Sequence, residues 1–319
     1  MEKIYITRKL PEEIVEPLRE KFDVHMWHSE NIGMTYEEIK TNAKDVDALW
    51  TMLSDNIDCA LIESLSNVKV ISNFAVGYNN IDIDAAKERG IVVTNTPGVL
   101  TETTADLTFA LLLATARRIT EVEQEIRTGN WTSWSPMQYT GMDVFGATLG
   151  IIGMGRIGEA VARRAKGFDM NVLYHNRSRK LDAEETYGLT YTELDDLLKQ
   201  SDFVILLTPL TPETKGLIGK RELNLMKETA AIINVARGGI VDEQALYEAL
   251  VSKKIWAAGL DVFEQEPVPV DHPLLTLPNV TVSPHIGSAS IRTRLAMMQM
   301  NAKDIEAVLE NSEPQNRIV

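Results

Sequence analysis

Cysteine occurs once in these 319 residues. Cys59 therefore has no partner for an internal disulfide, which fits a reducing compartment, and it reads as a small packed residue. Long apolar runs are missing too: none approaches the roughly 20 residues that a bilayer span requires. Residues 1–8 (Met-Glu-Lys-Ile-Tyr-Ile-Thr-Arg) have no secretory apolar core, so a cytoplasmic location without a membrane partner is expected. Basic residues are in deficit, 32 Lys and Arg against 46 Asp and Glu for a formal net charge of −14. That balance argues against a nucleic-acid partner, because attraction to phosphate needs a basic surface. Histidine is scarce, five in all, and neither histidines nor carboxylates cluster at ligand spacing, so no metal site is expected. Repeats of solenoid period and low-complexity segments are absent as well.

What remains is an ordinary globular composition in a chain longer than a single hydrophobic core usually serves, and two domains follow. The centre of the chain is Ala147-Thr-Leu-Gly-Ile-Ile-Gly153-Met-Gly155-Arg-Ile-Gly158. Leu149, Ile151 and Ile152 suit a buried strand, and Ile157, Val161 and Ala165 resume at helical spacing until Gly167. Strand, glycine loop and helix together form a dinucleotide-binding fingerprint. Gly153 permits the tight turn, Gly155 lets backbone approach a pyrophosphate, and Gly158 lets helix pack on strand. The helix N-terminus then offers N–H groups and a positive dipole to the anion.

Ahead of the fingerprint, strands at 3–8, 23–28, 48–53, 69–74 and 91–96 alternate with helices at 11–21, 36–43, 57–65 and 83–89, as in a parallel βα-repeat domain. Ser72-Asn-Phe-Ala-Val-Gly77-Tyr-Asn-Asn-Ile-Asp follows one of these strands, where ligands of open α/β sheets collect, and Gly77 would turn backbone amides toward an anion. An ordinary turn rich in Asn and Gly reads equally well there. Residues 101–128 form one long helical pattern, too apolar to face solvent, suited to a buried helix between two domains. The loop 130–137 carries Trp131 and Trp134, read first as packed on the same molecule or a partner subunit, and otherwise as lying beside a substrate.

After the fingerprint, strands at 170–174, 202–208, 230–235, 257–262 and 280–283 alternate with helices at 193–199, 220–226 and 243–252, giving a doubly wound sheet. A last helix, Ile291 to Leu309, follows the cofactor domain and returns to the first domain. The fold class is thus α/β with two doubly wound domains, a Rossmann cofactor domain (100–287) inserted in a discontinuous flavodoxin-like substrate domain (1–99 plus 288–319).

Cofactor choice is read at the end of the second strand of that domain, where an NAD site places an acidic residue on the adenosine ribose. Here stands His175-Asn176-Arg177-Ser178-Arg179-Lys180. No carboxylate is present to repel a 2′-phosphate, while Arg177, Arg179 and Lys180 can bind it and Ser178 can donate a hydrogen bond, so NADP(H) is preferred and NAD(H) is the alternative. A basic surface turn is the plain rival. Three further stretches end strands of the same domain: Asn234-Val-Ala-Arg237-Gly-Gly, Leu260-Asp261-Val-Phe-Glu-Gln-Glu266-Pro and Ser283-Pro-His285-Ile-Gly-Ser. Arginine's planar fork suits a carboxylate substrate, and a histidine backed by a glutamate suits proton transfer. Arg237, Glu266 and His285 could hold a 2-oxo acid and protonate its ketone as hydride arrives. A surface arginine and a satisfied core histidine remain the commoner reading of such residues taken singly.

In order and spacing, these stretches resemble the signatures of D-isomer-specific 2-hydroxyacid dehydrogenases. Ala75-Val-Gly77-Tyr-Asn-Asn-Ile-Asp, Ser283 to Ala289 and Thr293-Arg294 are most similar to the glyoxylate/hydroxypyruvate reductase branch. The resemblance implies Arg237 as carboxylate and carbonyl clamp, His285 as acid/base, Glu266 as its partner, and the backbone of Val76 and Gly77 at the substrate carboxylate. It places Asp261 at the nicotinamide amide, Arg156 and Ile157 at the pyrophosphate, Thr104 near the cofactor, and Thr208-Pro209 with Val235-Ala236 along it. It also implies a homodimer and a small 2-oxo or 2-hydroxy acid as substrate. The rivals are an NAD-linked D-3-phosphoglycerate or D-lactate-type dehydrogenase, which the missing ribose carboxylate disfavours. A nucleotide-sensing corepressor-like binding protein is a third reading, weakened because no disordered interaction arm is present.

Overall fold

Ala48–Met52 and Val70–Phe74 are buried along their whole length, as central strands of a parallel sheet covered by helices on both faces must be. In the computed structural model, which describes residues 1–319, they are β3 and β4 of the first sheet, with β1 (Lys3–Ile6), β2 (Asp23–Met26) and β5 (Val92–Thr94). Every pairing is parallel and the order is β2-β1-β3-β4-β5, the flavodoxin-like arrangement. Helices α1 (Glu12–Arg19), α2 (Tyr36–Asn42), α3 (Cys59–Ser64) and α4 (Ile83–Glu88) connect the strands. Their starts are written in the sequence: Thr35 and Glu38 make a reciprocal capping box, and Asp58 and Asp82 accept from the amides of Leu61 and Ala85. Cys59 departs from expectation. It is exposed at the start of α3 because Leu61 and Ile62 take the inward face. Desolvation, then the charge of nearby Glu63, pushes its thiol up, so it is a poor nucleophile.

The second sheet is built from β6 (Thr148–Ile152), β7 (Asn171–His175), β8 (Thr190–Tyr191), β9 (Phe203–Leu206), β10 (Ala231–Asn234), β11 (Ala257–Leu260) and β12 (Val280–Val282). Its order, β12-β11-β10-β9-β6-β7-β8, is all parallel and reverses at β6, so the crevice beyond the β6 and β9 ends is a topological switch point. Helices α5 (Thr101–Ala116), α6 (Ile119–Arg127), α7 (Arg156–Ala165), α8 (Leu181–Tyr187), α9 (Leu194–Gln200), α10 (Lys220–Leu225) and α11 (Glu243–Val251) accompany it.

The pattern over 101–128 is not one helix. It breaks at Arg118, whose φ of 56° is left-handed. The carbonyl of Ala116, instead of continuing the helical ladder, accepts from Met142 N–H at 2.8 Å. Alanine in place of Gly141 would bring Cβ within 2.2 Å of that carbonyl oxygen, so the close approach of this segment is what ends the helix. The apolar side chains of α5 are buried against α7 and the β10–β12 part of the sheet. Gly259 allows that approach, since a Cβ there would meet Thr115 and Leu111. Trp131 and Trp134 are not packed on this molecule; they are 52% and 76% exposed. The α8–β8 excursion is a further element, too short for periodicity to announce.

The chain falls into two compact units, residues 1–100 with 289–319 and residues 101–288. The last helix, α12 (Ile291–Leu309), belongs to the first unit. Within that unit Asn301 on α12 donates to Ser72 Oγ and the Asn73 carbonyl at 2.7 and 3.2 Å, and Lys21 pairs with Glu306 and Glu310.

Candidate active site

The glycine loop joins β6 to α7 at the switch point, and its three glycines differ in what demands them. Gly153 has φ of +102°, and a Cβ there would lie 2.7 Å from the backbone of Leu207 and Thr208. Gly158 would press its Cβ to 2.5 Å from the Gly153 carbonyl. Both are required by the protein itself. Gly155 is different: no atom of the chain lies within 4 Å of where its Cβ would stand. That leaves room for a pyrophosphate at the N-terminus of a ten-residue helix. Arg156 and Ile157 follow as the first residues of α7. The residues present therefore fit a dinucleotide.

Beyond β7, Asn176 folds its side chain onto the Ser178 carbonyl at 3.1 Å, and no acid stands between 176 and 180. Arg177, Ser178 and Arg179 are exposed, but the two arginines are not equivalent. Arg179 is bidentate to Glu184 at 3.0 and 2.5 Å and lies over the Tyr191 ring. Its hydrogen bonds hold the Glu184 carboxyl below its usual range. Thr208 and Pro209 lie past the end of β9, Val235 and Ala236 past β10, and Thr104 is buried on α5.

The ends of β10, β11 and β12 bring together the three residues expected to act on substrate. Arg237 follows β10, half-buried, its Nη1 donating to the Ala236 carbonyl at 2.7 Å while Asn234 holds the Arg237 carbonyl at 3.0 Å. Burial lowers its pKa against the opposing charge of Glu266. An arginine so placed gains by taking a carboxylate as partner. His285 Nδ1 meets Glu266 Oε2 at 2.6 Å, and Glu266 Oε1 accepts from Phe263 N–H at 3.0 Å. Burial alone would raise the Glu266 pKa. The hydrogen bond from His285, its charge, the Phe263 amide and Arg237 together outweigh burial and hold it below its ordinary value. An ionised Glu266 accepts only, so Nδ1 carries the hydrogen of this pair and Nε2 is left for other chemistry.

His285 also has a left-handed backbone, φ 52°, uncommon for a residue with a side chain. Asp261 explains how it is kept there. Its Oδ1 accepts from Ser283 Oγ at 2.6 Å and Ile286 N–H at 2.9 Å, its Oδ2 accepts from Gly287 N–H at 2.9 Å, and its carbonyl accepts from His285 N–H at 2.8 Å. Burial raises the Asp261 pKa in spite of these donors. This grip on the histidine turn was not legible beforehand, although Ser283 stands in the same motif. In the first unit, the Val76 carbonyl accepts from Asn95 at 2.7 Å and the Gly77 carbonyl from Asn73 at 3.0 Å. The roles of Asn73 and Asn95 had no signal of their own, because asparagine after a strand reads as turn chemistry.

The family model described as "D-isomer specific 2-hydroxyacid dehydrogenase, NAD binding domain" matches residues 109–287. Among curated relatives, a glyoxylate reductase of Korarchaeum cryptofilum is 48% identical over 317 residues, 99% of this chain and 95% of the relative. The glyoxylate reductase of Pyrococcus furiosus is 47% identical over 316 residues, covering 98% and 94%. Among solved structures, an NADPH-dependent glyoxylate/hydroxypyruvate reductase from Sinorhizobium meliloti, in complex with NADP and malonate, superposes with a TM-score of 0.88 at 33% identity, covering 100% and 97%.

Proposed function

This chain belongs to the D-isomer specific 2-hydroxyacid dehydrogenases and is an NAD(P)-dependent enzyme, and from that premise we propose that it is an NADPH-preferring reductase of glyoxylate and hydroxypyruvate, giving glycolate and D-glycerate. The observation that carries the reading is the hydrogen-bonded His285–Glu266 pair beside a desolvated Arg237, in the unit that holds the glycine loop. NADPH, when bound, would supply the hydride that the carbonyl carbon receives. His285 holds a proton at Nε2 and gives it to the carbonyl oxygen as that oxygen gains charge. Glu266 keeps the ring oriented through its hydrogen bond to Nδ1. Arg237 holds the substrate carboxylate and stabilises the charge developing on oxygen. The resemblance assigns the amides of Val76 and Gly77 to the same carboxylate, and Asp261 to the nicotinamide amide. For this chain Asp261 has the added task of holding the His285 turn.

The preference for NADPH rests on Asn176–Lys180, which has cations and no acid. The solved relative from Sinorhizobium meliloti, which is NADPH-dependent, supports it. A homodimer is part of the proposal: Ile119 and Ile126 on α6 and Trp131, Trp134, Met137 and Phe145 after it are large, apolar and exposed, the kind of surface that a partner covers.

Purified protein should oxidise NADPH with glyoxylate or hydroxypyruvate. His285→Ala should lose most turnover, about a hundredfold or more, while NADPH binding by fluorescence titration stays close to wild type. Unchanged turnover in that variant would remove the mechanism.

A further inference from the structure

The turn from Phe263 to Glu266 is held by two glutamates, only one of which faces the reaction. The Phe263 amide donates to Glu266 Oε1 at 3.0 Å, and Glu266 in turn receives His285 Nδ1 at 2.6 Å. The next amide, Glu264 N–H, donates to Glu243 Oε1 at 2.6 Å, and Glu243 Oε2 lies 3.1 Å from His272 Nε2. Two consecutive amides thus feed two glutamates, each backed by a histidine. The second pair is the better enclosed, with side chains 19% and 17% exposed. His272 Nδ1 is buried without a hydrogen-bond partner. A second ring hydrogen there would be a buried donor lacking an acceptor, so the ring's bond to Glu243 through Nε2–H is the one its surroundings permit. Glu243 itself is fixed at the first position of α11, whose N-cap Asp242 accepts from Ala245 N–H. A negative charge is favoured at that helix end.

The same turn carries the other half of the site. A Cβ on Gly238 would come within 1.9 Å of the Phe263 carbonyl oxygen, so the backbone beside Arg237 lies directly on this segment. Phe263 is buried, and its ring meets His272 edge to face at 5.9 Å. Any shift of residues 263–264 moves the donor that orients Glu266.

We propose that Glu243 and His272 are positioning residues: they fix the 263–266 turn from the side away from substrate and thereby set the orientation of Glu266 toward His285. This rests on the roles given above to Glu266 and His285. Neither Glu243 nor His272 exchanges a proton with substrate.

The test is a double-mutant cycle on the full-length enzyme with NADPH and glyoxylate. Glu243→Ala should lower kcat on the order of tenfold, the scale of losing a charge-assisted hydrogen bond, with little change in the dissociation constant for NADPH. Glu243→Gln, whose Oε1 can still accept from Glu264, should recover most of the rate. In a Glu266→Gln background, Glu243→Ala should cost less than about twofold. The same tenfold loss in both backgrounds, or wild-type kcat in Glu243→Ala, overturns the proposal. If Glu243→Ala does not fold, His272→Ala decides by the same cycle. Wild-type behaviour of Glu266→Gln alone would instead refute the role of Glu266 and this inference with it, so the two failures are distinguishable.

Discussion

Arg177 and Arg179 stand two residues apart in a run that reads as uniformly basic, yet they differ in what they can give a ligand. Arg179 spends its fork on Glu184 and its face on Tyr191, so any anion it bound would compete with a carboxylate already seated. Arg177 is exposed, and its charge helps hold Glu213 below the usual carboxylate range, after hydrogen bonds from Thr211 and the backbone. Arg177→Ala should therefore weaken NADPH binding by about tenfold or more, with NADH nearly unchanged, whereas Arg179→Ala should cost NADPH less. Fluorescence titrations with both cofactors check this. Equal losses of NADPH and NADH in Arg177→Ala would remove the 2′-phosphate assignment. Residue type told that cations were there, but not which had been neutralised, because Glu184 is set by the position of α8.

At the scale of elements, the β6–loop–α7 unit separates two glycines that the fold itself requires from one, Gly155, that it does not. Gly153→Ala must adopt a strained backbone and collide with the chain after β9, and should lower stability by about 1–3 kcal/mol. Gly155→Ala meets no protein atom outside its chain neighbours and should cost about 0.5–1 kcal/mol, alanine being a poorer N-cap than glycine, while cofactor affinity falls at least about tenfold from contact with the pyrophosphate. Thermal melts with and without NADPH distinguish the two. A large loss of Tm in the ligand-free Gly155→Ala protein would count against the loop's assignment. The sequence pattern identified this unit fully, since strand, glycines and helix are local. It misread residues 101–128 as one helix because the break at Arg118 depends on Met142 claiming the Ala116 carbonyl, a contact 26 positions away that periodicity does not register.

For the whole molecule, the exposed apolar stretch that includes Trp131 and Trp134 is the surface on which the proposed dimer can be tested. If it is covered by a second copy, replacing both tryptophans with serine should shift sedimentation toward the monomer at micromolar concentration, and should remove the dependence of Tm on protein concentration that a dimer shows. A wild-type protein that sediments as a monomer would overturn the dimer. The net charge of −14 keeps chains apart at long range but acts weakly at contact in physiological salt.

By itself the sequence determined the two α/β sheets, the glycine loop and the absence of an acid after β7, and it put Arg237, Glu266 and His285 forward as candidates. These follow from periodicity, capping and short motifs, all carried by neighbours along the chain. Only the tertiary structure decided how those residues are held: the left-handed turn of His285 under Asp261, the Phe263 amide on Glu266, and the Glu243–His272 pair behind it. The reason is physical. Apart from Phe263 and Glu266, three positions apart, these contacts join segments that the register of a parallel sheet brings together, with partners up to 29 positions apart, beyond the reach of any local pattern.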